Sequence, residues 1–268
     1  MRSTRWRRRP RSRPRSSSRS EDARGPQAAR GTAVWGLFEG RSAMRWDVIP
    51  TFVPIIFEGV KITLQISALG ILFGTLIGLV AGLLRSRKPS NLILWALYGL
   101  ATLYVEVVRG TPFLVQLYLM YYGPFFLFGI DLPAMTAGTI ALSLNSGAYV
   151  AEIFRGAIES IDRGQMEAGR SLGLTFAQTM RHIILPQAFR RALPPLANEF
   201  ASLIKESSVI SVLGVADIMF KTKTVGTAHF AMFQALLVAA VYYLVLTGIT
   251  SQLVRLLERR LGKSDSRS

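Results

Sequence analysis

The sequence contains no cysteine, which removes disulfides and thiolate metal sites from consideration. Histidine is almost as scarce. His182 and His229 stand too far apart to form a local metal motif, so no metal site is expected. Charge is thin as well: 18% of the residues are Asp, Glu, Lys or Arg, against about 25% in a soluble domain. A phosphate-binding loop is also missing. Gly262-Lys263-Ser264 has the ending of one, but Leu257 occupies the place of its first glycine, and no strand precedes it. The chain is therefore not expected to bind nucleotide itself.

The scarcity of charge is not uniform. Four stretches, 62–84, 111–130, 133–151 and 224–254, hold no Asp, Glu, Lys or Arg at all. Each approaches or exceeds the ~20 residues that carry a helix across ~30 Å of hydrocarbon. Half of the 268 residues are hydrophobic, and the mean hydropathy is +0.33. The expectation is an all-α, multi-pass membrane protein.

The net charge of +16 suggests nucleic acid at first sight, but thirteen arginines fall between Arg2 and Arg45. The tail 1–43 is rich in Arg, Ser and Pro and cannot bury an apolar face, so disorder is expected there. It could be an arm for anionic lipid or nucleic acid, or a solvated tail. Alternatively, translation begins at Met44, which we adopt as the expectation. Arg85, Arg87 and Lys88 follow the first apolar run and mark its end as cytoplasmic. The N-terminus then lies outside, where thirteen arginines would oppose the same bias. No nucleic-acid partner is expected for the domain 44–262.

Parity fixes the other spans. The connector 159–191 is basic, so it too is cytoplasmic. Blocks 92–108, 111–130 and 133–151 cannot all be separate crossings between two cytoplasmic points. Gly110 and Pro112 mark a kink at the first junction. The expected spans are about 57–84, a bent 92–128, 132–154, 192–214 and 227–253, with residues 263–268 as a cytoplasmic tail. Pro50 and Pro54 limit regular helix before the first span. Gly70, Gly74, Gly78 and Gly82 recur every four residues, which predicts a close packing seam. Glu106 and Arg109, three apart, are positioned to pair across one turn.

The connector carries the most specific signal. Glu167-Ala168-Gly169 is followed by Gly173, Ile183 and Leu185-Pro186. Gly173 allows a joint, and Leu185-Pro186 is expected to end or bend the helix after it. Leu172, Phe176, Met180 and Ile183 offer apolar contacts at helical spacing. The spacing resembles the EAA loop of ABC-importer permeases, with Gly169 where Ala is usual. Glu106-x-x-Arg109-Gly-Thr111-Pro112-x-x-x-Gln116, Asn145-x-x-Ala-Tyr149-x-x-Glu152-Ile-x-Arg155-Gly and Lys205-Glu206-Ser207-Ser208 are similar to segments of the polar amino acid permeases. The likeness covers about 47–261.

The resemblance implies a five-span permease fold of the type I ABC importers with a cytoplasmic coupling loop. It implies dimerisation with a second permease chain, identical or paralogous. It also implies ABC ATPase subunits that bind the ATP, and an external solute-binding protein, periplasmic or lipid-anchored. Thr111, Gln116, Asn145, Tyr149, Glu206 and Ser208 carry the donors and acceptors a zwitterion needs when it loses water, and are expected to line the path. The same side chains would equally serve as hydrogen-bonding glue between helices.

Overall fold

The computed structural model describes residues 46–86 and 89–265, with side chains described as far as Leu256. The tail 1–43, the start at Met44, the charges of Arg87 and Lys88, and the side chains near the C-terminus lie outside the described residues. The described part is helical: α1 Ile49–Arg85, α2 Leu92–Gly110, α3 Phe113–Phe128, α4 Ala134–Glu159, α5 Arg163–Ser171, α6 Phe176–Thr179, α7 Leu185–Glu206, α8 Ile218–Ala228 and α9 Met232–Asp265.

The first helix starts earlier than the prolines suggest. A 3-10 turn at Trp46–Val48 leads directly into α1. Pro50 sits in the first turn, where amides have no helical partner in any case. Pro54 costs one bond further on, and the helix continues because Phe52 and Ile56 on either side of it are fully buried against Ile218, Ala235 and Ala239.

The most extensive interface in the chain joins α1 to α4. It is the glycine seam. A Cβ on Gly70 would stand 3.1 Å from Leu142, on Gly74 2.8 Å from Ser146, on Gly78 2.6 Å from Val150, and on Gly82 2.8 Å from the Ala151 carbonyl. The partner numbers rise together, so the two helices run parallel. Helix α9 runs the same way: Phe52 meets His229 just before it, and Phe57 meets Tyr242 within it. Helix α7 runs oppositely. Its Ala188 and Ala192 pack with Phe154 and Ile158, and its Leu203 packs with Leu142.

Between α1 and α4 the chain breaks at Thr111-Pro112, where both residues are extended. Proline disfavours a helical conformation in the residue before it. Ala101 and Val105 of α2 pack with Ala148 and Ala151 of α4, whereas Leu117 of α3 packs with Ala141 and Leu142. The two short helices therefore lie in tandem along one longer one. At the far end, α7 passes into a 3-10 turn at Ser207–Leu213 and stops at Gly214, with φ +84°. The last span also differs from expectation: residues 227–228 end α8, and a turn through Phe230 (φ 51°) separates it from α9.

Candidate functional site

Two regions carry polar chemistry: an elbow between α4 and α7, and a line of side chains where α4 faces α7. In the elbow, Asp162 caps α5 by accepting from the Gly164 amide at 2.7 Å. Helix α5 ends at Gly173, whose φ is +83°. The Gly173 amide donates to the Arg170 carbonyl and the Leu174 amide to Gly169, the paired bonds of a left-handed helix stop. Thr175 and Gln178 then form a capping box that restarts the helix.

Of the two outcomes expected at Leu185-Pro186, an end or a bend, the helix does not end there. Residues Met180–Ile184 wind as a π turn, and the Leu185 amide donates to Met180, five residues back. The wider turn accommodates Pro186, which has no amide to give and whose ring would crowd a normal turn. The chain thus runs from Phe176 into α7 with a local change of winding.

The elbow sorts its residues by face. Glu167 and Ala168 are exposed, and Leu172 is 81% exposed. Ile183 and Met180 turn inward with Ile184 and Phe154. Of the four apolar residues at helical spacing, Met180 and Ile183 make their contacts inside and Leu172 faces out. Gly169 is buried, and a Cβ there would come within 2.5 Å of Thr179 and 3.1 Å of Ile183. This contact accounts for glycine where the resembling loops have alanine. Ser160, beside the elbow, accepts a hydrogen bond from Arg191 of α7 on its carbonyl.

At the α2–α3 break, Gln116 Nε2 donates to the Val108 carbonyl at 2.7 Å and to Thr111, while Thr111 Oγ1 donates to Val107 at 2.9 Å. Gln116 gives the Val108 carbonyl the donor that Pro112 lacks, and Thr111 closes the last turn of α2 through Val107. These bonds assign Thr111 and Gln116 to the break instead of leaving their donors free to line a path. Glu106 and Arg109 do not pair with each other. Glu106 reaches Arg85 at 3.7 Å, and Arg109 reaches Glu152 at 3.8 Å while lying over the Tyr149 ring. Glu152 is the hub, also bound by Arg85 and by Arg155 at 2.7 Å. This joins the ends of α1, α2 and α4.

The remaining expected path residues gather on α4 and α7. Asn145 Nδ2 donates to Glu206 Oε2 at 3.2 Å. Tyr149 and Glu152 line a cavity of about 520 Å³ with Arg191 and Glu199. Ser208 instead turns back to the Lys205 carbonyl at 2.6 Å. Glu199 and Ser146 were missing from the candidate set. Glu199 stands seven residues before Glu206, and that interval was the available signal, because residues seven apart share a helix face. Outside the spans, Asp217 is fully buried and caps α8 through the Phe220 amide at 2.7 Å. Burial pushes its carboxyl up to about 7, against the lowering effect of the Phe220 amide and of Lys223.

Residues 74–263 match the family of the binding-protein-dependent transport system inner membrane component. The glutamine transport system permease protein GlnP of Escherichia coli K12 is 39% identical over 81% of this chain and 97% of its own length. The arginine transport system permease protein ArtQ of Bacillus subtilis is 37% identical over 80% of this chain and 95% of its own. A chain from the crystal structure of an amino acid ABC transporter with histidines superposes with a TM-score of 0.72 at 41% identity. That match covers 78% of this chain and 95% of that one.

Proposed function

This chain belongs to the inner-membrane components of binding-protein-dependent transport systems, and from that membership we propose how it moves its cargo. It is the membrane-spanning subunit of an ABC importer for polar amino acids, a non-catalytic part of the machine. The elbow takes up the motion of a separate ATPase, which holds and hydrolyses the ATP. The line of Asn145, Tyr149, Glu199 and Glu206 forms this chain's wall of the path, which a second permease chain completes. A solute-binding protein delivers the amino acid from outside.

The orientation follows from the same reading. Parallel α1 and α4 need an odd number of crossings between them, and α2 with α3 supplies one bent passage. The described helices then give five crossings, with the N-terminal side of α1 outside and the elbow in the cytoplasm.

The observation that carries the proposal is the elbow itself. Gly173 turns α5 away from α6 and leaves Glu167, Ala168 and Leu172 outward. Meanwhile Ile183, Ile184 and Ala188 are packed into the cluster that holds α4 and α7 together. A push on α5 is therefore delivered to both walls of the cavity. The test is a cysteine at Leu172 in the membrane complex. Crosslinking to the ATPase that changes with ATP is expected, together with uptake that requires ATP. No crosslink, or uptake driven by a sodium or proton gradient without ATP, would overturn the reading in favour of a secondary transporter.

A further inference from the structure

We infer that Tyr104 of α2 is a positioning residue for the path: its hydroxyl fixes the turn of α4 that presents Asn145, and so ties the bent passage α2–α3 to the wall. This rests on Asn145 belonging to the wall and names what holds that residue in place. The Tyr104 hydroxyl donates to the Leu144 carbonyl at 2.6 Å. Among the described residues, it is the one side-chain hydrogen bond from α2 or α3 to another helix. The next residue, Asn145, is buried and donates to Glu206 of α7 at 3.2 Å. One turn of α4 is therefore gripped from two helices, α2 and α7.

A second, independent feature lies at the same place. A Cβ on Gly147 would stand 2.6 Å from the Tyr104 Oη and 3.0 Å from Ile77. The absent methyl group is what lets the phenol reach the α4 backbone. Tyr104 also borders a cavity of about 500 Å³ between α1 and α2, and every other side chain lining that cavity is apolar. The hydroxyl finds its acceptor on α4.

Packing alone does not call for this hydroxyl. Ala101 and Val105 already hold α2 against Ala148 and Ala151, and a phenylalanine would fill the same volume. Nor does the Leu144 carbonyl lack a donor, because inside α4 it accepts from the amide four residues on. What the bond adds is direction. Hydrocarbon offers a hydroxyl no water to turn to, so it keeps its one acceptor, and the carbonyl cannot tilt away without breaking the bond. Asn145 follows directly in the chain and inherits that orientation.

The test measures amino acid taken up per ATP hydrolysed. It uses proteoliposomes that hold this chain with its ATPase, supplied with the binding protein and a radiolabelled amino acid mixture. The ratio is indifferent to the amount of folded complex, so a merely structural loss does not move it. Tyr104→Phe removes only the hydroxyl and is expected to lower the ratio about threefold or more, the size of effect one hydrogen bond carries. Asn145→Ala should lower it as well. Adding Tyr104→Phe to Asn145→Ala should lower it further by less than about 1.5-fold, because a residue that acts through Asn145 then has nothing to act on. A wild-type ratio in Tyr104→Phe beside a lowered one in Asn145→Ala overturns the inference alone, and so do losses that multiply in the double variant. A wild-type ratio in Asn145→Ala removes Asn145 from the wall, and the inference falls with that reading.

Discussion

Replacing Gly173 is the most direct way to separate the elbow's mechanics from the stability of the bundle. A Cβ at this position meets nothing within 4 Å, so a side chain adds no clash. What changes is the backbone: φ is +83°, and an L residue held in the left-handed region loses roughly 1–2 kcal/mol relative to glycine. A difference of that size is a factor of about 5–30 in a two-state population. The population at stake is the bent elbow, because the Gly173 and Leu174 amides close the end of α5 only in this conformation. Asn tolerates the left-handed region best among the alternatives, and a β-branched residue worst. We therefore expect ATP-coupled uptake to fall in the order wild type, Gly173→Asn, Gly173→Ala, Gly173→Val. The last should lose at least tenfold, and the melting temperature of the membrane core should stay nearly constant. The assay is uptake per ATP hydrolysed in proteoliposomes, with melting in detergent as the control. Wild-type coupling in Gly173→Val would refute the reasoning, because the left-handed stop would then not set the position of α5.

In the seam, Gly78→Ala places a methyl 2.6 Å from Val150. It should cost about 1–3 kcal/mol by overpacking, read as a lowered melting temperature, and Val150→Ala in the same chain should restore part of the loss. Gly169→Ala, which restores the residue common in the resembling loops, should weaken ATPase association because its methyl meets Thr179 at 2.5 Å. Thr179→Ala should relieve it in a pull-down titration of the ATPase. Asp217 supplies a pH signature. Its folded carboxyl titrates near 7, above the ordinary 3.8, because it is buried. Its protonated form therefore supports the fold fully below about pH 4, and that support is lost as pH rises through 7. Melting temperature should fall between pH 5 and 8 in the wild type and change less in Asp217→Asn, whose amide oxygen can still accept from Phe220.

Much of this was legible in the chain itself. Long charge-free runs give membrane helices because lipid offers the backbone no hydrogen-bond partner. The four-residue glycine repeat announced a seam, since such positions fall near one helix face, and Pro112 announced the break. Gly173 announced the joint. The exact start of α1 was not legible, because the burial of Phe52 and Ile56 against distant α8 and α9 outweighs the missing bond at Pro54. Nor were the roles of Thr111 and Gln116, polar residues whose targets are carbonyls exposed only once the helix has broken.

The partners of charges were the least readable feature. Glu106 and Arg109 are spaced to pair locally, yet each finds a stronger opposite charge across a helix interface, at Arg85 and at Glu152. Sequence spacing determines which side chains share one helix face, because 3.6 residues make a turn wherever the helix lies. Which faces meet was decided by packing alone. Parallel α1 and α4, locked at their glycines, and antiparallel α7 bring Glu199, Glu206 and Ser146 to one place. No local rule connects residues some fifty positions apart.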